Sequence, residues 1–193
     1  MRTAGLHGAA GTARDTGRVQ LRGVTLTRGR VVPAAVSVVL VGLGALLPYL
    51  RMQYLDFTVQ VVDARLTLFP AATLVRGVDP QWLPAADPAR LPLALNVFNL
   101  GASMHQIGAV LAVLLCWALV VDEINKFFWW PLHLAGWVLA LGFVPLWAGL
   151  AMLRSAGVVA GLGVGWVPLT LAGVVILVST FRAHARLDTY GGI

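Results

Sequence analysis

The sequence predicts an all-α polytopic integral membrane protein, a four-helix transmembrane bundle, and three observations carry that expectation. Residues 91–121, 127–153 and 155–181 contain no Asp, Glu, Lys or Arg, and residues 31–50 form a fourth such run. A spanning helix needs about 20 mostly apolar residues. Composition agrees: 59% of the 193 residues are hydrophobic and 11% charged, with mean hydropathy +0.82, whereas a soluble domain carries about 25% charged residues. The third observation is where the basic residues lie, which also orients the chain.

Residues 1–30 form a basic tail in which Arg2, Arg14, Arg18, Arg22, Arg28 and Arg30 are opposed only by Asp15. Its glycines and threonines are poor helix formers, so the tail is expected to be disordered at a cytoplasmic membrane surface. The first span, 31–50, ends at Pro48 and Arg51. Residues 51–100 are expected as an extracytoplasmic loop with an amphipathic segment. In it Met52, Leu55, Val59, Val62 and Leu66 recur at helical spacing with Gln53, Asp56, Gln60 and Asp63 opposite, the pattern of a helix lying on a membrane. Leu55, Phe57, Val59 and Val61 also alternate as a strand would; the helix is preferred. Two copies of Asp-Pro-x-x-Leu-Pro follow, from Asp79 and from Asp87, each suited to start a turn with Asp as cap and Pro in the first turn.

The second span must stop at Asp122, which places it at 101–121 and leaves 91–100 as an interfacial lead-in. Asp122, Glu123 and Lys126 lie in a cytoplasmic turn, 122–126, where the lysine can pair with either acid. The third span, 127–153, opens on Phe127, Phe128, Trp129 and Trp130, an aromatic group suited to the headgroup level. Pro131 costs little in its first turn, whereas Pro145, and Pro168 in the fourth span, are expected to kink their helices. An outer turn at 154–157 leads to the fourth span, 158–181, and a cytoplasmic tail, 182–193. With both termini inside, nine basic residues lie on the inner side against five on the outer, the asymmetry expected of cytoplasmic loops.

The net charge of +6 sits beside hydrophobic runs, where arginines orient the chain and meet anionic headgroups; no nucleic acid is expected as a partner. One lysine against thirteen arginines, with much Ala, Gly and Val, is the composition of a GC-rich, prokaryotic genome. Cys116 is the only cysteine, which excludes an intramolecular disulfide, a Cys-rich metal site and the thiol exchange of membrane oxidoreductases, which needs a cysteine pair.

Ser103, His105 and Gln106 form a candidate polar intramembrane site, since polar groups within spans often mark a pathway; an interhelical hydrogen bond or headgroup contact would use the same residues. His105 and His133 differ in expected depth by roughly 15 Å at 1.5 Å per residue, too far to hold one haem iron, so no cofactor or metal is expected. Gly157, Gly161 and Gly165 at four-residue spacing are a candidate helix-packing face of the GxxxG kind, unless they form a loose turn after Arg154. No Asp, Glu, Lys or Arg lies within the four spans, and no set of groups converges as catalysis requires. The expectation is a non-enzymatic accessory or membrane-organising subunit of the plasma membrane, with the bilayer, further copies or a larger membrane complex as partners. The alternative is a small transporter or channel component acting as an oligomer, with His105 and Gln106 lining a path.

Overall fold

The structure, a computed structural model, describes residues 18–21, 24–55, 60–77, 82–83, 86–120 and 129–190. The tail before Arg18, the turn holding Asp122, Glu123 and Lys126, Phe127 and Phe128, and the first Asp-Pro copy at Asp79 lie outside the described residues.

The chain is mostly helical but not all-α. Strands β1 (Arg18–Leu21) and β2 (Val24–Thr27) pair antiparallel with Arg18 opposite Thr27. This corrects the expectation of a tail without structure up to residue 30: Val19, Leu21, Val24 and Leu26 alternate with polar residues, the period of a strand. Helix α1 (Arg28–Leu46) follows. Residues 51–66 are also corrected, because β3 (Leu50–Leu55) and β4 (Val61–Leu66) form a hairpin where the amphipathic helix was expected. Pairing of Leu50 with Leu66 through Leu55 with Val61 puts Leu50 and Met52 on the buried face and Arg51 on the exposed one. Arg51 holds Asp63, its diagonal cross-strand neighbour, by a two-pronged ion pair with Nε 2.9 Å from Oδ1. The hydrogen-bonded Arg51 guanidinium holds the Asp63 carboxyl below its ordinary range.

The amphipathic helix comes one element later, as α2 (Leu68–Gly77), which buries Leu68, Ala71, Ala72 and Val75 and exposes Phe69, Thr73 and Arg76. Asp87 then caps the next turn through Oδ1, which accepts from Ala89 N at 2.9 Å, while its carbonyl accepts from Leu91 N. Helix α3 runs unbroken over Leu91–Leu115 and tightens into a 3-10 turn, Cys116–Leu119. Residues 91–100, expected as an interfacial lead-in, are the first turns of the same helix. Their packing against α5 explains this: Leu91, Ala94, Leu95 and Phe98 are all buried.

Helices α4 (Trp129–Leu141) and α5 (Phe143–Ser155) form one rod interrupted at Gly142. The interruption falls three residues before Pro145, which has no N–H to offer the carbonyl of Leu141. A Schellman turn ends α5: Val158 N donates to Leu153 O at 3.0 Å, and Gly157 adopts φ 90°. The short strand β5 (Ala160–Leu162) then joins the sheet in the order β4-β3-β5, and α6 (Trp166–Tyr190) closes the fold. Expected to begin at 158, the last helix begins at Trp166, because residues 158–165 are held in strand and loop by Gln53 N to Val159 O, Gly163 N to Tyr49 O and Gly165 N to Pro48 O. Pro168 thus falls in the first turn of α6 and produces no kink there.

The glycines at 157, 161 and 165 are corrected as a helix face, since they lie in a turn, a strand and a loop. Other glycines bring the helices together. A Cβ on Gly101 of α3 would stand 2.5 Å from the Leu146 N of α5, and one on Gly149 would collide with Phe98 N and Cα. Gly173 of α6 lies as close to Ala140 N of α4, and Gly44 of α1 to the Leu169 side chain of α6. Helices α3 and α5, α4 and α6, and α1 and α6 therefore pack with backbones in near contact. Two rods, Leu91–Leu115 and Trp130–Ser155, are long and apolar enough to cross a membrane, and the apolar stretches Val31–Leu46 and Trp166–Arg182 pack beside them.

Candidate functional site

The three polar residues expected to act together divide between two faces of α3. Successive residues turn by about 100° on a helix of 3.6 residues per turn, so Ser103 and Gln106 share a face while His105 points away. Tertiary contacts then give the two faces different partners.

His105 is fully buried. Its Nδ1 lies 2.6 Å from the Tyr49 hydroxyl and its Nε2 3.2 Å from the Leu139 carbonyl. One protonation state satisfies both contacts: the tyrosine O–H donates to a bare Nδ1, and Nε2–H donates to the carbonyl. Tyr49 follows α1, Leu139 belongs to α4, and Gly142 leaves room for the ring, since a Cβ there would come within 2.8 Å of it. A single neutral imidazole thus ties three parts of the chain at one level. Both nitrogens are engaged, so a ligand or metal could reach the ring only by displacing one of these bonds.

His133 is similarly occupied. Its Nδ1 lies 2.9 Å from Thr180 Oγ1 of α6, its Nε2 accepts from Trp137 Nε1 at 3.1 Å, and its ring meets Phe181 edge-on at 4.7 Å between centroids. The two histidines join different helix pairs and share no partner. Among the described residues no group of three or more His, Cys, Asp or Glu could hold a metal ion.

On the other face of α3, Asn99, Ser103 and Gln106 form a polar stripe at i, i+4 and i+7. Arg76, from the last turn of α2, reaches all three: Nε donates to Asn99 Oδ1 at 3.3 Å, and Nη2 donates to Ser103 Oγ at 2.8 Å and to Gln106 Oε1 at 3.1 Å. Arg76 and Asn99 lie outside the site expected from the sequence, Ser103, His105 and Gln106. The stripe was legible from helical spacing, whereas the contact from Arg76, 23 residues before Asn99, required the path of the loop.

The hydroxyls of Ser37, Thr170 and Ser179 bond carbonyls of their own helices. Every buried side-chain nitrogen or oxygen among the described residues has a partner. A groove of about 320 Å³ between α1 and α6 is lined chiefly by valines, with Ser179 and Arg182 at its edge. No family model matches the chain, and neither a curated protein nor a solved structure matches it.

Proposed function

We propose that this chain is a four-span integral protein of the plasma membrane, a four-helix transmembrane bundle with both termini cytoplasmic, that serves as a non-catalytic accessory or membrane-organising subunit. The spans are α1, α3, the α4–α5 rod and α6; the three-stranded sheet and α2 lie at the outer end. Two features support membrane insertion. Only 39% of the most apolar window is buried in each of α3 and the α4–α5 rod, whereas the core helix of a soluble protein is apolar because it is hidden. Aromatic residues also mark two levels: Trp147 and Trp166 meet edge-on at the upper end, and Trp130, 76% exposed, lies at the other. Trp130 and Trp147 are roughly 25 Å apart along the rod at 1.5 Å per residue, near the thickness of a hydrocarbon core of about 30 Å.

The reading of role rests on a single observation: among the described residues every buried polar side-chain atom of the apolar helices already has a partner within the fold. A conduction path needs polar groups converging on a shared cavity. Here His105 closes the Tyr49–Leu139 bridge and His133 closes a bridge to Thr180, so the same residues that could line a path hold helices together. Proteoliposomes containing the purified chain should therefore hold a proton gradient as long as empty ones. Dissipation of the gradient, abolished by His105→Leu, would favour the transporter reading instead.

Topology has its own test, in a Cys116→Ser background. Gln81→Cys should react with a membrane-impermeant maleimide in intact cells, whereas Asn125→Cys and Thr189→Cys should react only after lysis. Labelling at position 189 in sealed cells would mean an inverted chain or an odd number of spans.

A further inference from the structure

Arg76 is an exposed cation held by neutral groups. Arg51 has Asp63 and Arg90 has Asp87, but Asn99, Ser103 and Gln106 supply hydrogen-bond acceptors and no negative charge. Three of the five guanidinium N–H groups are used in those bonds, which, among the described residues, leaves the two on Nη1. The fork is thus fixed in orientation while its charge stays available, the state in which arginine takes up a phosphate oxyanion.

Its level in the bundle narrows the source of that phosphate. Asn99 follows Phe98, which meets Gly149 two residues beyond Trp147, so Arg76 reaches α3 from the outer aromatic level. Ile107, Val110 and Leu114 continue below Ser103 on the same face of α3, at four, seven and eleven residues' distance, and are 56%, 47% and 60% exposed. A cation above an uncovered apolar stripe matches a headgroup phosphate above its acyl chains.

We propose that Arg76, oriented by Asn99, Ser103 and Gln106, binds the phosphodiester of an outer-leaflet anionic phospholipid whose acyl chain lies along Ile107, Val110 and Leu114. The proposal rests on the four-span reading. Its test uses the full chain in a non-ionic detergent, titrated with dioleoyl phosphatidylglycerol, with dioleoylglycerol, which has the same chains and no phosphate, or with inorganic phosphate. Binding is read as the rise in unfolding temperature and as a lipid adduct by native mass spectrometry.

Phosphatidylglycerol should stabilise the wild type and leave an adduct of one lipid, and dioleoylglycerol should do neither. Arg76→Gln should weaken phosphatidylglycerol binding roughly fivefold or more. Arg76→Lys should restore part of it, which a purely structural tie between α2 and α3 would not predict. If Arg76→Gln yields no folded protein, Gln106→Ala, which frees one prong of the fork, should show a smaller loss in the same direction. Binding as tight as wild type by Arg76→Gln, or by Gln106→Ala where Arg76→Gln does not fold, would overturn the site, and equal stabilisation by inorganic phosphate would overturn the lipid as its occupant. Recovery after an alkaline carbonate wash separates the two readings. A chain released into the soluble fraction contradicts the spans themselves, whereas a membrane-retained chain indifferent to phosphatidylglycerol contradicts only the lipid site.

Discussion

Replacing Gly149 by leucine should leave little folded protein, with a loss beyond the about 1–3 kcal/mol usual for an overpacked core. A side chain there meets Phe98 N and Cα of α3, and backbone atoms cannot turn aside as a rotamer can. One helical turn or more along the same seam, Gly101 faces Leu146 N and the Gly142 carbonyl, so sliding α5 to relieve one collision worsens the other. Two controls fix the interpretation. Gly42→Leu meets nothing within 4 Å and should change stability by no more than about 0.5 kcal/mol. Gly161→Leu meets only the tip of Arg154, at 3.7 Å from its Cβ, so it should also be mild, although its four-residue spacing from Gly157 and Gly165 pointed to a packed helix. Unfolding in detergent, followed by near-ultraviolet circular dichroism, measures all three. A Gly149→Leu midpoint equal to that of Gly42→Leu would refute the close α3–α5 crossing.

The second large effect is expected at the Tyr49–His105 bridge. Tyr49→Phe removes one oxygen and leaves His105 Nδ1 buried with no donor, at a cost of about 1–3 kcal/mol. His105→Leu strands the Tyr49 hydroxyl in the same surroundings and should cost a similar amount. The double variant Tyr49→Phe with His105→Leu removes both polar partners together, so it should be less destabilised than the two losses combined, by about 0.5–3 kcal/mol. That non-additivity is the signature of the bond. Losses that add to within about 0.5 kcal/mol would mean that the two residues act independently, and that loop and helix are joined by packing alone.

The parts legible in the sequence are those governed by local chemistry. Uncharged runs marked where apolar helices lie, since burial or lipid is needed for so many consecutive apolar residues. Asp87 before Pro88 marked a turn, because an aspartate oxygen two residues before a free N–H can satisfy it. Helical spacing placed Ser103 and Gln106 on one face. The hairpin of β3 and β4 was less legible: residues 51–66 satisfy helical and strand periods at once. What decides is the supply of partners, since Leu50 and Met52 pair with β4 on one side and with β5, more than a hundred residues later, on the other.

The sequence by itself determined that the chain is built from long apolar helices, with a basic asymmetry along its length and one cysteine that can form no internal disulfide. Only the tertiary structure decided which glycines are packing surfaces, where the last helix starts, and what the polar residues do. The physical reason is the range of the interactions. Helix propensity, hydropathy and capping act over a few residues, so they can be read along the chain. The loop before α6 is fixed by carbonyls at Pro48 and Tyr49, Gly149 is required by a backbone 51 residues away, and His105 is satisfied by Tyr49 and Leu139. Those partners become neighbours only when the helices have packed.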